Sequence, residues 1–435
     1  SPTWAHCAVL SSRPTMPDTA PTLSPARERA LLLTLAAVQF VHIVDFMIMM
    51  PLGPQLTRLF GLSDAQFGLL ISAYTLAGGA SGLAATTYID RFERRRLLLT
   101  LFAGLALATL ACGLAPGYGT LMAARVAAGL FGGVIGALVQ TIVADVVPFE
   151  RRGRAMGVVM SAFSMATVAG VPASLWLAHG WGWHMPFVAI AAASLLIWFV
   201  AARQVPRLTA HLGPRGQAGG TLHHLRGVLA EPNHWRAFGL SMLLMASSFA
   251  MIPYITIFTT TNLGLTAEQV PLIYLVGGVA TLFTSRLVGR LADRRGKVPT
   301  FRLIAALALL PILALPRLPH DVPLAALLGV TTLFFVLVSG RMVPGMALVT
   351  AAVAPQRRGA FMSLNNALQS AAMGVASFVG GLMISRDAHG LVQGYERTGW
   401  VALVCTLAAL WLVGRLQVVP AVPRTTPIQN IQSDG

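Results

Sequence analysis

His42 and Asp45 lie three residues apart inside an apolar run that spans residues 30–52. At that spacing two helical side chains share one face. A carboxylate near the middle of a membrane helix costs about 3 kcal/mol on insertion scales, so it is seldom kept without a partner or a task. Arg125, in a later apolar run, is the expected partner. A carboxylate that gains and loses a guanidinium neighbour can release and take up a proton. Asp45, His42 and Arg125 are therefore the expected proton-coupling group. Two plainer readings stand beside this one: a static pair of Asp45 with Arg125, or an Asp45 that bonds to His42 and opens toward the outer water layer.

Arg341 poses a related problem. It lies about 24 Å of helix from Arg357 at 1.5 Å per residue, too deep to reach the surface. The interiors of the neighbouring runs hold no acid to neutralise it. It is expected to bind an anionic or polar substrate group, or to reach Asp45 across a cavity. Helical spacing also puts Arg125, Gly129, Gly132, Gly136 and Gln140 on one stripe, and Ser363, Asn366, Ser370, Gly374, Ser377 and Gly381 on another. Such stripes serve as packing seams or as cavity walls. The expected cavity set is Arg341, Gln140, Asn366, Gln369 and Tyr254, with Tyr74, Trp176, Phe249 and Phe258 as further aromatic candidates. Arg286 is near enough to Asp293 to snorkel to the surface.

The elements that position these residues follow from composition. Of 435 residues, 55% are hydrophobic and only 11% charged, where a soluble domain carries about a quarter charged. Lipid must solvate most of this chain. A spanning helix needs about 20 apolar residues, and such runs fall at 30–52, 66–89, 97–115, 118–147, 155–178 and 185–202, then at 236–260, 268–290, 301–316, 322–352, 360–384 and 398–416. Pro311 weakens the ninth. Residues 1–29 read as a disordered cytoplasmic tail without a signal-peptide core, in which Met16 is a plausible start and Ser1 to Thr15 an upstream extension. The polar stretch 204–235 reads as a cytoplasmic linker between bundles at 30–203 and 236–418, with a short interfacial helix or plain disorder around Leu222, Leu225 and Leu229. A cytoplasmic tail, 419–435, closes the chain.

The net charge of +16 would suggest nucleic acid in a soluble protein. Here the arginines cluster between apolar runs: Arg91 and Arg94 to Arg96, Arg151, Arg152 and Arg154, Arg294, Arg295 and Lys297, and Arg357 with Arg358. That alternation marks those loops, and both termini, as cytoplasmic. Cys7, Cys112 and Cys405 are too scattered for a disulfide framework or a zinc site.

The two halves also repeat. Stepping back in fours from Asp90 gives Thr86, Gly82 and Gly78, and from Asp293 gives Gly289, Ser285 and Thr281. A basic turn follows each aspartate, and Arg151-Arg152-Gly153 is matched by Arg357-Arg358-Gly359. Repeated halves imply a pseudo-two-fold protein with its pathway between them. Gly289 to Lys297 resembles the Gly-x-x-x-Asp-Arg-x-Gly-Arg/Lys signature of the major facilitator superfamily, with Thr86 and Glu93 replacing its usual glycines in the first copy. Arg125 to Gly129 resembles that family's fourth-helix signature, and Gly170-Val171-Pro172 a degenerate form of its antiporter signature. Together with Asp45 and the Gly180-Trp181-Gly182-Trp183 turn, these are most similar to the bacterial drug and sugar efflux branch.

The resemblance implies an all-α membrane protein of twelve spanning helices in two six-helix bundles. It further implies a latch at the basic end from Asp90, Arg91, Arg94, Asp145, Asp293, Arg294 and Lys297. Arg94 would pair with Asp145, Asp90 would face the start of the eleventh helix near Gly359, and Asp293 would face the start of the fifth near Gly153. The expected function is proton-coupled antiport of a small amphipathic compound from a monomer in the inner membrane. Its partners would be substrate, protons and lipid, with no nucleic acid and no cofactor. Uptake or facilitated diffusion of a sugar or other metabolite, or a sensor without transport, share the fold. No metal-protease motif, nucleophile–base pair or Walker A loop supports an enzyme or direct ATP drive, and nothing resembles a channel selectivity filter.

Overall fold

The computed structural model describes residues 24–148, 151–209, 227–354 and 357–418. Twelve helices of spanning length run through it: α1 (Pro25–Ile48), α2 (Asp64–Tyr88), α3 (Arg94–Gly113), α4 (Tyr118–Val146), α5 (Arg152–Trp181) and α6 (Met185–Gln204) in the first half. The second half holds α7 (Pro232–Thr261), α8 (Val270–Arg295), α9 (Lys297–Arg317), α10 (Leu324–Ala351), α11 (Arg358–Met383) and α12 (Tyr395–Val413). Helix α1 starts earlier than the apolar run suggests because Ser24 caps it, Pro25 opens it and Glu28 lies in the first turn. Residues 25–29 are therefore helix rather than tail. The expected interfacial turn around Leu222 and Leu225, and the tail 419–435, lie outside the described residues.

Prolines decide where the long helices bend. A proline removes the hydrogen bond to the carbonyl four residues back and crowds it. Pro253 stands four after Phe249, where α7 passes into a 3-10 turn at Ile252–Tyr254. Pro344 stands four after Gly340, where α10 breaks at Arg341. Pro172 follows a π-helical stretch, Ala166–Gly170, in α5. Pro311 lies inside α9, which continues through it to Ala314.

Within the first half α2 packs on α4, α3 on α4 and α6, and α1 on α5 and α6. In the second, α7 packs on α11 and α12, and α8 on α10. The halves meet along two seams, α2 with α11 and α5 with α8. Because successive helices alternate in direction, the arginine turns all fall at one end.

Closure is concentrated at the other end. There Gly68 of α2 comes against Ser377 of α11, and Gly381 against Asp64 and Ala65, while Gly79 meets Ser370 farther along, beside the cavity. Gly153, Gly289 and Gly359, near the arginine turns, have no packed neighbour among the described residues. On that side Gln140 of α4 and Asn366 of α11, both lining the space between the halves, are exposed, so the halves part toward the arginine-rich end.

Candidate functional site

Asp45 is fully buried on α1, and its carboxylate binds side chains from two other helices. Oδ2 lies 3.4 Å from Arg125 Nη1 on α4, and Oδ1 accepts a hydrogen bond from the Thr109 hydroxyl on α3 at 2.9 Å. Arg125 also donates to the Asp45 carbonyl at 3.3 Å, and its guanidinium sits 4.2 Å from the centre of the Tyr74 ring on α2. An opposite charge, a hydroxyl and an aromatic face together replace the water that both ions leave behind. Of the plainer readings, an Asp45 open to an outer water layer is excluded by this burial. The carboxylate bonds to Thr109 and Arg125, not to His42.

His42 lies on the cavity wall instead. A lobe of about 290 Å³ is bounded by His42 and Phe46 of α1, Tyr74 and Thr75 of α2, the Gly132 to Gln140 face of α4, and Ser363, Asn366 and Ser370 of α11. Gln140 and Asn366 are the exposed pair toward its mouth. Three buried polar atoms have no protein partner here: His42 Nδ1, the Tyr74 hydroxyl and Gln39 Oε1. Buried polar groups are rarely left unpaired without a reason, and here they face or flank a space between two bundles.

A second lobe of about 390 Å³ shares Phe46, Gln369 and Met373 with the first, so the two adjoin across those side chains. Phe and Met are the commonest residues in its walls, among them Phe46, Phe249 and Phe335 with Met47, Met50, Met245 and Met342. Aromatic rings and flexible thioethers suit apolar bodies of varied shape. Thr167, beside the π-helical stretch of α5, and Thr281 of α8 supply hydroxyls.

The two stripes read from sequence do different things along their lengths. On α4, Gly129 and Gly133 meet the α2 backbone at Tyr74 and Gly78, while Gly132 and Gly136 face His42 and Gln39. On α11, Ser363, Asn366 and Ser370 face the cavity, whereas Gly374, Ser377 and Gly381 form the closed seam.

Three expectations are corrected. Tyr254 lines neither lobe: the 3-10 turn at Pro253 swings it into the seam, where its hydroxyl donates to the Ser377 carbonyl of α11. Arg341 does not reach Asp45, for its guanidinium is held by Thr406, Ser247 and Ser248 of α12 and α7. The contact of Asp293 with the start of α5 is not made, since Asp293 is exposed and Gly153 has open space around it. At that same end Arg94 Nε lies 3.4 Å from Asp145, and Arg91, Arg294 and Lys297 are exposed. The Asp90 side chain, expected beside Gly359, lies outside the described residues. Among the other aromatic candidates, Phe249 lines the larger lobe, Phe258 stacks on Tyr395, and Trp176 is exposed on the outer surface.

The sequence reading missed an ion pair between the halves. Asp64, at the start of α2, is bound by two nitrogens of Arg386 at 3.1 Å each. Arg386 stands on a small antiparallel hairpin, Ser385–Arg386 with Val392–Gln393. The Asn262 side chain at the end of α7 holds that hairpin by bonding both backbone groups of Val392. At its turn, the Asp387 carboxyl is held below its usual range by the N–H of Leu391, the Gln393 side chain and the N–H of His389. In sequence Asp64 looks like an ordinary first-turn acid behind the Ser63–Gln66 capping box, which concealed its second role.

Two helical bundles that enclose a lipid-shielded cavity, closed at one end and parted at the other, define a membrane carrier rather than an enzyme. The chain belongs to the Major Facilitator Superfamily, whose family description matches residues 35–377. Among curated proteins it is 26% identical over 362 residues to the MFS-type transporter YceJ of Bacillus subtilis, covering 82% of this chain and 90% of that one. It is also 26% identical over 408 residues to a chloramphenicol efflux pump of Mycobacterium tuberculosis, covering 92% of each. Two crystal structures of a bacterial homologue of the human lysosomal transporter Spinster, both inward-facing, share the fold. The unoccupied form has a TM-score of 0.68 at 16% identity, and the occupied form 0.70 at 18%; each comparison covers 92% of this chain and all of the other.

Proposed function

We propose that this transporter is a proton-coupled antiporter that exports a small amphipathic compound. The observation that carries the reading is the Asp45–Arg125–Thr109 group, sealed directly behind the cavity wall formed by His42, Tyr74 and Gly132. A proton arriving at Asp45 would neutralise the carboxylate and free Arg125, changing how α1 and α4 hold together. Alternating access then links that change to which end of the cavity opens. His42, on the cavity side of Asp45, is the group through which a proton would pass. The phenylalanine and methionine lining of the larger lobe, and the efflux pumps among the relatives, favour an amphipathic cargo.

In this reading the protein is a monomer in the inner membrane with both termini cytoplasmic, so the parted, arginine-rich end faces the cytoplasm. Residues 204–235 link the bundles on that side, and the Arg94–Asp145 pair belongs to a latch that forms fully when the cavity faces out. Uptake on the same fold is the second reading, favoured by the continuous polar wall of the smaller lobe.

The test is proton movement in everted membrane vesicles challenged with chloramphenicol, aromatic carboxylates and sugars. Wild type should release protons from the acidified interior on addition of a substrate, and Asp45→Asn should not. Equal responses would remove Asp45 from the coupling step, and substrate accumulation driven in the opposite sense would establish uptake.

A further inference from the structure

Arg341 is fully buried at the break in α10, yet every partner it has is neutral. Nη1 donates to the Thr406 hydroxyl at 2.7 Å, and Nη2 to Ser247 at 2.9 Å and Ser248 at 3.4 Å, while Nε is buried without a partner. No carboxylate pairs with it among the described residues. Hydroxyls can solvate a guanidinium but cannot neutralise it, and a charge buried without a counter-charge is costly.

The first half meets the same demand with Asp45 against Arg125. The sequence offset that carries Asp90 onto Asp293 carries Asp45 onto Ser248, so the second half has a hydroxyl where the first has an acid. Ser248 also forms part of the wall of the larger lobe, together with Ser339 and Met342 on either side of Arg341. The absent negative charge and the cavity therefore share one wall.

We propose that the larger lobe binds an amphipathic organic anion, whose carboxylate docks at Ser248 and is neutralised by Arg341. Its aromatic body lies among Phe46, Phe249 and Phe335. The Ser248 hydroxyl, which now donates to the Leu244 carbonyl at 2.9 Å, turns to donate to the carboxylate, and Arg341 supplies the charge behind it. This rests on reading the cavity as the cargo site, but its test measures binding and needs neither transport nor protons.

The probe pair is 2-naphthoate and its neutral isostere 2-naphthamide, with affinity taken from the thermal stabilisation of purified protein in lipid nanodiscs. Wild type should bind the acid at least tenfold more tightly than the amide, a comparison that needs no variant. Arg341→Gln should lose that preference and Arg341→Lys keep part of it. Ser248→Asp, which gives Arg341 an internal counter-charge, should exclude the acid while the amide still binds. Acid and amide binding alike, binding of neither, or a preference that survives in Ser248→Asp would overturn the assignment. A failure of Asp45→Asn to alter proton movement would leave it untouched.

Discussion

At the scale of single residues, the Asp45–Arg125 pair carries a stability as well as a transport consequence. Removing one member of a buried ion pair strands the other, at a cost of about 3–5 kcal/mol, whereas replacing both with apolar groups can be nearly neutral. Arg125→Leu should therefore lower the unfolding temperature of the purified protein sharply, and Asp45→Leu/Arg125→Leu should recover most of the loss while remaining dead in proton-coupled transport. A double variant no more stable than the single one would mean that the pair is held by packing and not by its charges. The pair was legible in sequence because an acid and a base inside apolar runs are each expensive. Thr109 was not legible there, and Tyr74 was read only as a cavity aromatic and not as the ring beneath Arg125, because a threonine or tyrosine in a membrane helix is inexpensive and common.

At the scale of helices, α2 is the element that packs both within its own bundle and against the other half. Its glycines face α4 at Gly78 and α11 at Gly79, one residue apart on different sides of the same helix. A side chain at Gly133 would run into the Gly78 backbone, so Gly133→Val should cost about 1–3 kcal/mol by overpacking and loosen the first bundle. Gly359→Val, in open space, should be silent in the same melting experiment. Helix count and most helix limits were legible because a 20-residue apolar run has few alternatives in lipid. The breaks at Phe249 and Gly340 could have been read from Pro253 and Pro344 by counting back four. The swing of Tyr254 out of the cavity could not, because it depends on how α7 seats against α11.

At the scale of the whole molecule, the closed end is held by a part-buried ion pair between the halves. Asp64 is 4% exposed, and its two hydrogen bonds to Arg386 cross from one half to the other. Opening that end must break them. Arg386→Gln should shift the population toward the conformer parted there, and a Ser377→Cys probe in a background without native cysteines should then react several-fold faster with a maleimide. The swap Asp64→Arg/Arg386→Asp should return the rate toward that of wild type. An unchanged rate in Arg386→Gln would mean that the glycine seam alone keeps the end shut. Neither residue stood out in sequence, because they are far apart in the chain and each is locally explained, Asp64 by a cap and Arg386 by a loop.

The helix that forms the second-half wall of the smaller lobe has one more consequence, for how the protein is made. Eleven of the twelve long helices among the described residues are apolar enough to cross a membrane on composition, and α11 is the exception. Asn366, Gln369, Ser363 and Ser370, which give it a cavity face, and Asn365, which bonds to Ser241 of α7, also remove the hydrophobicity that would carry it out of the translocon unaided. During biogenesis α11 must wait at the channel for a companion, either α12 arriving behind it or the glycine face of α2 already in the bilayer. In a glycosylation-mapped insertion assay α11 alone should largely fail to integrate and the α11–α12 hairpin should succeed, so the polarity that suits it to handle cargo also fixes the order in which the chain is assembled.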